Sequence, residues 1–261
     1  MGVLLADIRR LYAYRNLIRV LAAKEIKVRY KSALLGWIWS VLHPLLMMVI
    51  FSLICVFIIR LPIEKPPLFL LCALLPWFFV NFSVQASTTA LIEHASLIRS
   101  ADIPRLVIPL SVVGAHFVNF LITLGLLLVV LAVFLYWPGW LIAWLPLIVG
   151  LQFVFVLGIS LGCCALHTMY RDVRYITELA MIVWFYATPV FYPITAVPQA
   201  WQPLLAANPL TIFVELYRAV LLARVMPDPG AVILAACYSS AALALGVFIF
   251  NRYNPLFADV T

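Results

Sequence analysis

Charge is scarce in this chain. Of its 261 residues only 10% are Asp, Glu, Lys or Arg, against about a quarter in a soluble globular domain. That shortage excludes an ordinary water-soluble enzyme and a disordered chain, because no water-soluble fold of this length hides so much apolar surface. Acids are scarcest inside the apolar runs, where only Glu178 and Glu215 come close. Ion-coupled transporters and membrane metalloenzymes place carboxylates there, so neither a proton relay nor a paired-carboxylate site is expected. The phosphate loop GxxxxGK[ST] is missing, as are GxGxxG, HExxH and GxSxG. The chain therefore does not hydrolyse ATP through a phosphate loop. Cys55, Cys72, Cys163, Cys164 and Cys237 lack metal-site spacing and lie within apolar runs, which reads as small buried hydrophobes. The basic N-terminus leads into mixed residues, not a short apolar core with a cleavage site, so no signal peptide is expected.

What is abundant is apolar: 66% of residues are hydrophobic and the mean hydropathy is +1.13. Lipid must be the solvent for most of the chain. A crossing helix needs roughly 20 apolar residues, and six apolar stretches recur at 34–59, 68–92, 106–136, 141–166, 175–192 and 231–250. Helix is the expected form, because open sheet edges do not face lipid. The fold class is therefore all-α integral membrane, with six transmembrane helices. His43, His94, His116 and His167 are scattered over different segments; His43, just before Pro44, reads as a packing or kink partner.

The net charge of +7 is unevenly placed. Residues 1–31 hold eight of the seventeen basic residues. Such a stretch can bind nucleic acid, but directly before an apolar run its partner is the anionic membrane surface. With both termini inside, thirteen basic residues fall on the cytoplasmic side, including Arg99, Arg105, Arg171, Arg174 and Arg252, and four fall outside. The asymmetry favours that orientation. The uncharged WPGW at 137–140 suits a tight outer turn.

Leu11, Tyr14, Ile18, Leu21 and Val28 follow helical spacing and share a face flanked by Arg19, Lys24, Lys27 and Arg29. That is the pattern of a helix lying in the membrane surface. Glu25 interrupts the face; either it meets another protein group or the helix is imperfect. Residues 193–230 carry six prolines between short apolar segments. They read as two short helices dipping into the outer half of the membrane, with an interfacial outer loop as the alternative. Domain organisation follows: 1–33 is a cytoplasmic N-terminus with the interface helix, and 34–261 is the six-helix domain, with a loop at 93–105 and the broken segment at 193–230.

Local pairs are also legible. Glu178 sits beside Arg171 and Arg174, and Glu215 lies one turn before Arg218. Gly158 and Gly162 form GxxxG, a close-packing face within or between subunits. Trp184, Phe185, Tyr186, Phe191 and Tyr192 cluster near the fifth stretch. Rings belong at any membrane interface, and along a path they would also suit sugar faces.

Five stretches carry a family resemblance: RYKSALLGWIWSVLHPLL (29–46), IRSADIPRLVIPLS (98–111), YRDVRYITELAMIVWFYATPVFYPITAVP (170–198), NPLTIFVELYRAVLL (208–222) and PLFADV (255–260). In this order they resemble the transmembrane subunit of bacterial ABC exporters for O-antigen, teichoic acid and related polysaccharides, a branch of the type-2 ABC permeases. One departure is Ile103, where such permeases carry a bulky aromatic before the proline.

The resemblance implies a homodimeric channel in the inner membrane above two copies of a separate ATPase subunit. It implies a lipid-linked polysaccharide as substrate. ATP and Mg would be bound by the partner, leaving this chain no cofactor, no metal, no nucleic acid and no catalytic residue. It makes Arg19, Lys24, Glu25, Lys27 and Arg29 part of the interface helix. It makes Glu93, His94, Arg99, Asp102, Pro104 and Arg105 the coupling element facing the ATPase. Trp184, Tyr186, Phe191, Tyr192, Trp201, Glu215 and Arg218 become residues of the glycan path or outer gate. Competing readings are an ABC exporter of a small lipid or drug and an integral membrane transferase. The transferase would need clustered inner-face acids, and Asp102, Asp172 and Glu178 lie on separate segments. A passive channel or scaffold would work without nucleotide.

Overall fold

The computed structural model describes residues 13–30, 38–60, 63, 65–100, 103–133 and 136–254. Among these, all regular structure is helical. Ten α-helices follow one another: α1 Arg15–Tyr30, α2 Ile38–Leu53, α3 Pro66–Glu93, α4 Ala95–Ser100, α5 Val107–Val133, α6 Leu145–Met169, α7 Val173–Tyr186, α8 Gln202–Ala206, α9 Pro209–Arg218 and α10 Pro229–Tyr253. Short π turns extend α2 (Ile54–Ile59) and α9 (Ala219–Ala223), and a 3₁₀ turn, Gly139–Trp144, leads into α6.

Five helical stretches are long and apolar enough to cross a membrane: Ile38–Ile59, Pro66–Glu93, Val107–Val133, Gly139–Met169 and Pro229–Tyr253. They match five of the six expected runs. The other run is shorter than expected. Its helix, α7, has 14 residues, about 21 Å at the usual rise, where the hydrocarbon core is about 30 Å. Pro189 explains the early stop, since the residue before a proline is pushed out of the helical region. Thr188 bends back instead, donating its hydroxyl to the Trp184 carbonyl at 2.7 Å.

Burial ranks the spans. The most apolar window of α3 is 72% buried, whereas those of α2 and α10 are only 11% and 17% buried. α3 is thus the central post, packed on α2, α5, α6, α7 and α9. α6 and α10 form the tightest pair. Gly158 and Gly246 face one another there, and a Cβ on either would overlap the opposing backbone. The GxxxG face therefore packs within one subunit. Gly162 is less critical, because a Cβ there would meet Ile249 and Gly246 at 3.7 and 3.8 Å, ordinary contact distances.

Some of the polar groups buried in this apolar frame are matched to one another, which low dielectric rewards. Gln152 on α6 donates to the Pro76 carbonyl at 2.9 Å and accepts the Tyr217 hydroxyl at 2.8 Å. One amide thereby ties α6 to α3 and α9. His43 packs at 4.8 Å on the Phe78 ring and 5.8 Å from Phe82, as a packing partner.

Candidate functional site: a polar cavity and a fastened proline-broken segment

One end of the bundle gathers the C-terminus of α3, the start of α5 and the end of α10. The amphipathic helix α1 packs against α5 at this end. Leu21 is buried and Tyr14 and Ile18 are half-buried, whereas Arg19, Lys24 and Lys27 are exposed. Val28 is also exposed, at 57%, so the apolar stripe ends before it. Glu25 does meet a protein group: its Oε1 lies 3.1 Å from His94 Nε2. His94 Nδ1 lies 3.0 Å from the Ala90 carbonyl. A carbonyl only accepts, so Nδ1 carries a proton. Nε2 then accepts from Lys24 Nζ, 3.4 Å away, when the ring is neutral, and donates to Glu25 when it is protonated.

The structure brings only part of the expected coupling set together. Glu93 and Arg99 are exposed, and α4, Ala95–Ser100, is a single short turn bearing Arg99. Arg105 is half-buried and donates through Nη1 to the Asn254 backbone carbonyl and, at 3.3 Å, to its Oδ1. It therefore joins the start of α5 to the end of α10. Pro104 is half-buried beside it. Asp102, the tail 255–260, Leu11 and the Arg29 side chain lie outside the described residues.

Between α3 and α7 lies a polar cavity of about 160 Å³, lined by Gln85, Thr88, Thr89, Glu93, Thr177 and Glu178, with Arg174. Glu178 accepts from Arg174 Nε at 3.1 Å, as the one-turn spacing predicts. Both side chains are largely exposed, so solvent screens the pair and it contributes little to stability. Sequence reasoning treated the second run as uniformly apolar and missed its polar face. The signal was present, because Asn81, Gln85, Thr88 and Thr89 recur at helical spacing. Asn81 Oδ1 accepts from Gln85 Nε2 at 2.7 Å along that face.

At the opposite end one side chain joins the start of α9 to the end of α7. Asn208 caps α9, accepting the Leu210 N–H at 3.0 Å. Its Oδ1 also accepts Trp184 Nε1 at 2.8 Å. Its Nδ2 donates to Thr188 Oγ1 at 3.0 Å and to the Ala187 carbonyl at 3.1 Å. The end of α7 and the start of α9 are thereby fastened together. Trp184 is a half-buried part of that fastening, and Phe191 stacks on Phe51 of α2 at 5.6 Å. Tyr192 is half-buried and donates to the Tyr186 carbonyl at 3.1 Å. Tyr186 and Trp201 are each 60% exposed. Arg218, buried on α9, pairs with Glu215 at 2.9 Å, as expected one turn apart.

Taken together, these features define a helical multi-pass membrane protein with a polar cavity near one end and a proline-broken segment at the other. The family model described as ABC-2 type transporter matches residues 16–222, and the chain belongs to that family. An ABC-2 membrane subunit works with an ATPase partner subunit. The chain is also similar to the O-antigen export system permease protein RfbA of Myxococcus xanthus, 31% identical over 254 residues, which span 97% of this chain and 98% of that protein. Two Klebsiella pneumoniae proteins of the same name are each 31% identical over 248 residues, covering 94% of this chain and 95% of theirs.

Proposed function

We propose that this chain is the permease subunit of an ATP-driven exporter that moves a lipid-linked, O-antigen-like polysaccharide across the bacterial inner membrane. The observation that carries the reading is its end-to-end similarity to O-antigen export permeases. Two copies form the conduit, and two copies of a separate subunit supply ATP hydrolysis from below, holding the nucleotide and its Mg. The termini lie in the cytoplasm, in line with the basic residues.

α7 is the inner part of the fifth crossing, and 193–230 follows it as re-entrant outer-gate helices before the last span. Their backbone needs protein around it at that depth, and the Asn208 fastening and the buried Tyr217 support this. The exposed stripe of α7, with Ile176, Leu179 and Val183 each over 60% exposed, favours a second copy as its cover. The polar cavity beside α3 suits hydroxyl-rich substrate. Glu25 and His94 join the interface helix to the coupling end, where Arg99 faces the ATPase.

Deleting the chain from its host and restoring it on a plasmid tests the reading. Loss of surface glycan on deletion, with lipid-linked polymer accumulating inside, is the expected result. Transport by the isolated chain in proteoliposomes without any ATPase would overturn it.

A further inference from the structure

The two π turns share an ending that the export reading does not use. Each closes on a basic residue in left-handed backbone, Arg60 (φ 57°) after Ile54–Ile59 and Arg224 (φ 54°) after Ala219–Ala223. Lys65, before α3, has φ 51°. These three are the positive-φ residues other than glycine among the described residues, and all are basic. Such backbone is costly for side chains with a Cβ and concentrates at binding sites.

Two of the three meet on one ring. Lys65 Nζ lies 3.5 Å from the Tyr136 ring centroid and Arg224 Cζ lies 3.6 Å from it. Tyr136 is itself fixed, donating its hydroxyl to the Leu222 carbonyl at 2.9 Å. Two like charges against one ring repel each other, and no carboxylate among the described residues pairs with either. A guanidinium lying on a ring keeps its N–H donors in its own plane, free for an anion.

Lys65 and Tyr136 line a cavity of about 580 Å³, within the roughly 300–1,000 Å³ range of small-molecule sites. Arg218 lines it as well, and Arg224 adjoins it across the Tyr136 ring; Arg218 is 5% exposed and lies over the Phe69 ring at 3.5 Å. Arg218 Nη1 donates to Glu215 and Nη2 to the Val190 carbonyl at 2.8 Å. Its Nε is buried with no partner among the described residues. A charged donor left unmatched in a cavity wall calls for an acceptor. Apart from Glu215, which is paired with Arg218, the remaining wall is largely apolar, with Ile63, Phe69 and Leu222. An anionic head with an apolar tail matches both parts.

We propose that this cavity binds the phosphate or diphosphate head of an amphiphilic lipid, held by Lys65, Arg224 and Arg218. The same chemistry is offered by a membrane phospholipid and by the diphosphate of a lipid carrier. That the head arrives from the outer leaflet rests on the topology proposed above; binding itself does not.

The test uses the full chain purified in neutral detergent and titrated with farnesyl diphosphate, farnesol, inorganic pyrophosphate and short-chain phosphatidylglycerol, read by native mass spectrometry. The double variant Lys65→Gln/Arg224→Gln is expected to weaken farnesyl diphosphate binding about tenfold or more, since two charge-assisted contacts are lost. Lys65→Arg should retain it, and Arg171→Gln/Arg174→Gln at the other end should leave it unchanged. An unchanged melting temperature shows that the double variant is folded. Competition by phosphatidylglycerol assigns the site to bulk lipid, and failure to compete assigns it to the diphosphate carrier. Equal binding by the double variant and the native chain would overturn the proposal, as would farnesol binding as tightly as its diphosphate. No step needs ATP or glycan, so a negative result leaves the export reading intact.

Discussion

Glu25 and His94 are 69 positions apart in sequence and 3.1 Å apart in space. The contact joins a surface-lying helix to the residue that ends the central post α3. It places a polar side-chain contact where a pull on α1 would be felt by α3. Both partners keep some solvent access, so the pair contributes about 1 kcal/mol or less to stability.

Glu25→Gln is therefore expected to leave folding nearly unchanged. In the reconstituted transporter, glycan moved per ATP consumed should fall while ATP hydrolysis continues. The ratio of the two rates checks this, and an unaltered ratio would assign the contact to packing alone.

The Gln152 network predicts a different signature. Tyr217→Phe keeps the ring and removes the donor to a fully buried acceptor. The cost is expected at about 1–3 kcal/mol, visible as a lowered melting temperature in detergent. Tyr217→Leu should cost more, because packing is lost as well.

The α6–α10 contact separates two glycines of one motif. Gly158→Ala should sharply reduce recoverable folded protein, since its Cβ has only backbone to displace. Gly162→Ala is expected to be tolerated, since its neighbours stand at 3.7 Å and beyond. Fluorescence-detected size exclusion of the two variants compares them directly.

Topology is checked by labelling with a membrane-impermeant thiol reagent in a background lacking the native cysteines. Trp140→Cys, beside the outer turn, should react in intact cells. Arg99→Cys, on α4, should react only after the membrane is opened. The reverse pattern would invert the orientation proposed from the basic residues.

Much of this architecture is written locally. Long apolar runs mark the spans because hydrocarbon thickness sets helix length. Arg174–Glu178 and Glu215–Arg218 are visible because helical spacing alone brings them together. Gly158 announces a close approach, though the sequence does not say that its partner is Gly246 of the same chain. Contacts between distant segments leave no such trace. Nothing near Gln152 points to Tyr217, nothing near Trp184 points to Asn208, and nothing near Arg105 points to Asn254. The fifth apolar run was overextended for a simpler reason: hydropathy continues past Tyr186, whereas Pro189 stops the helix.

Asn208 has a mechanical consequence. With Trp184, Ala187 and Thr188 all bonded to it, α7 and α9 cannot part without breaking a whole set of contacts at once. The two therefore swing as a single lever. Whatever tilts α7 at its start must displace the start of α9 in the same stroke, and bending is left to the stretch between Arg224 and Pro229.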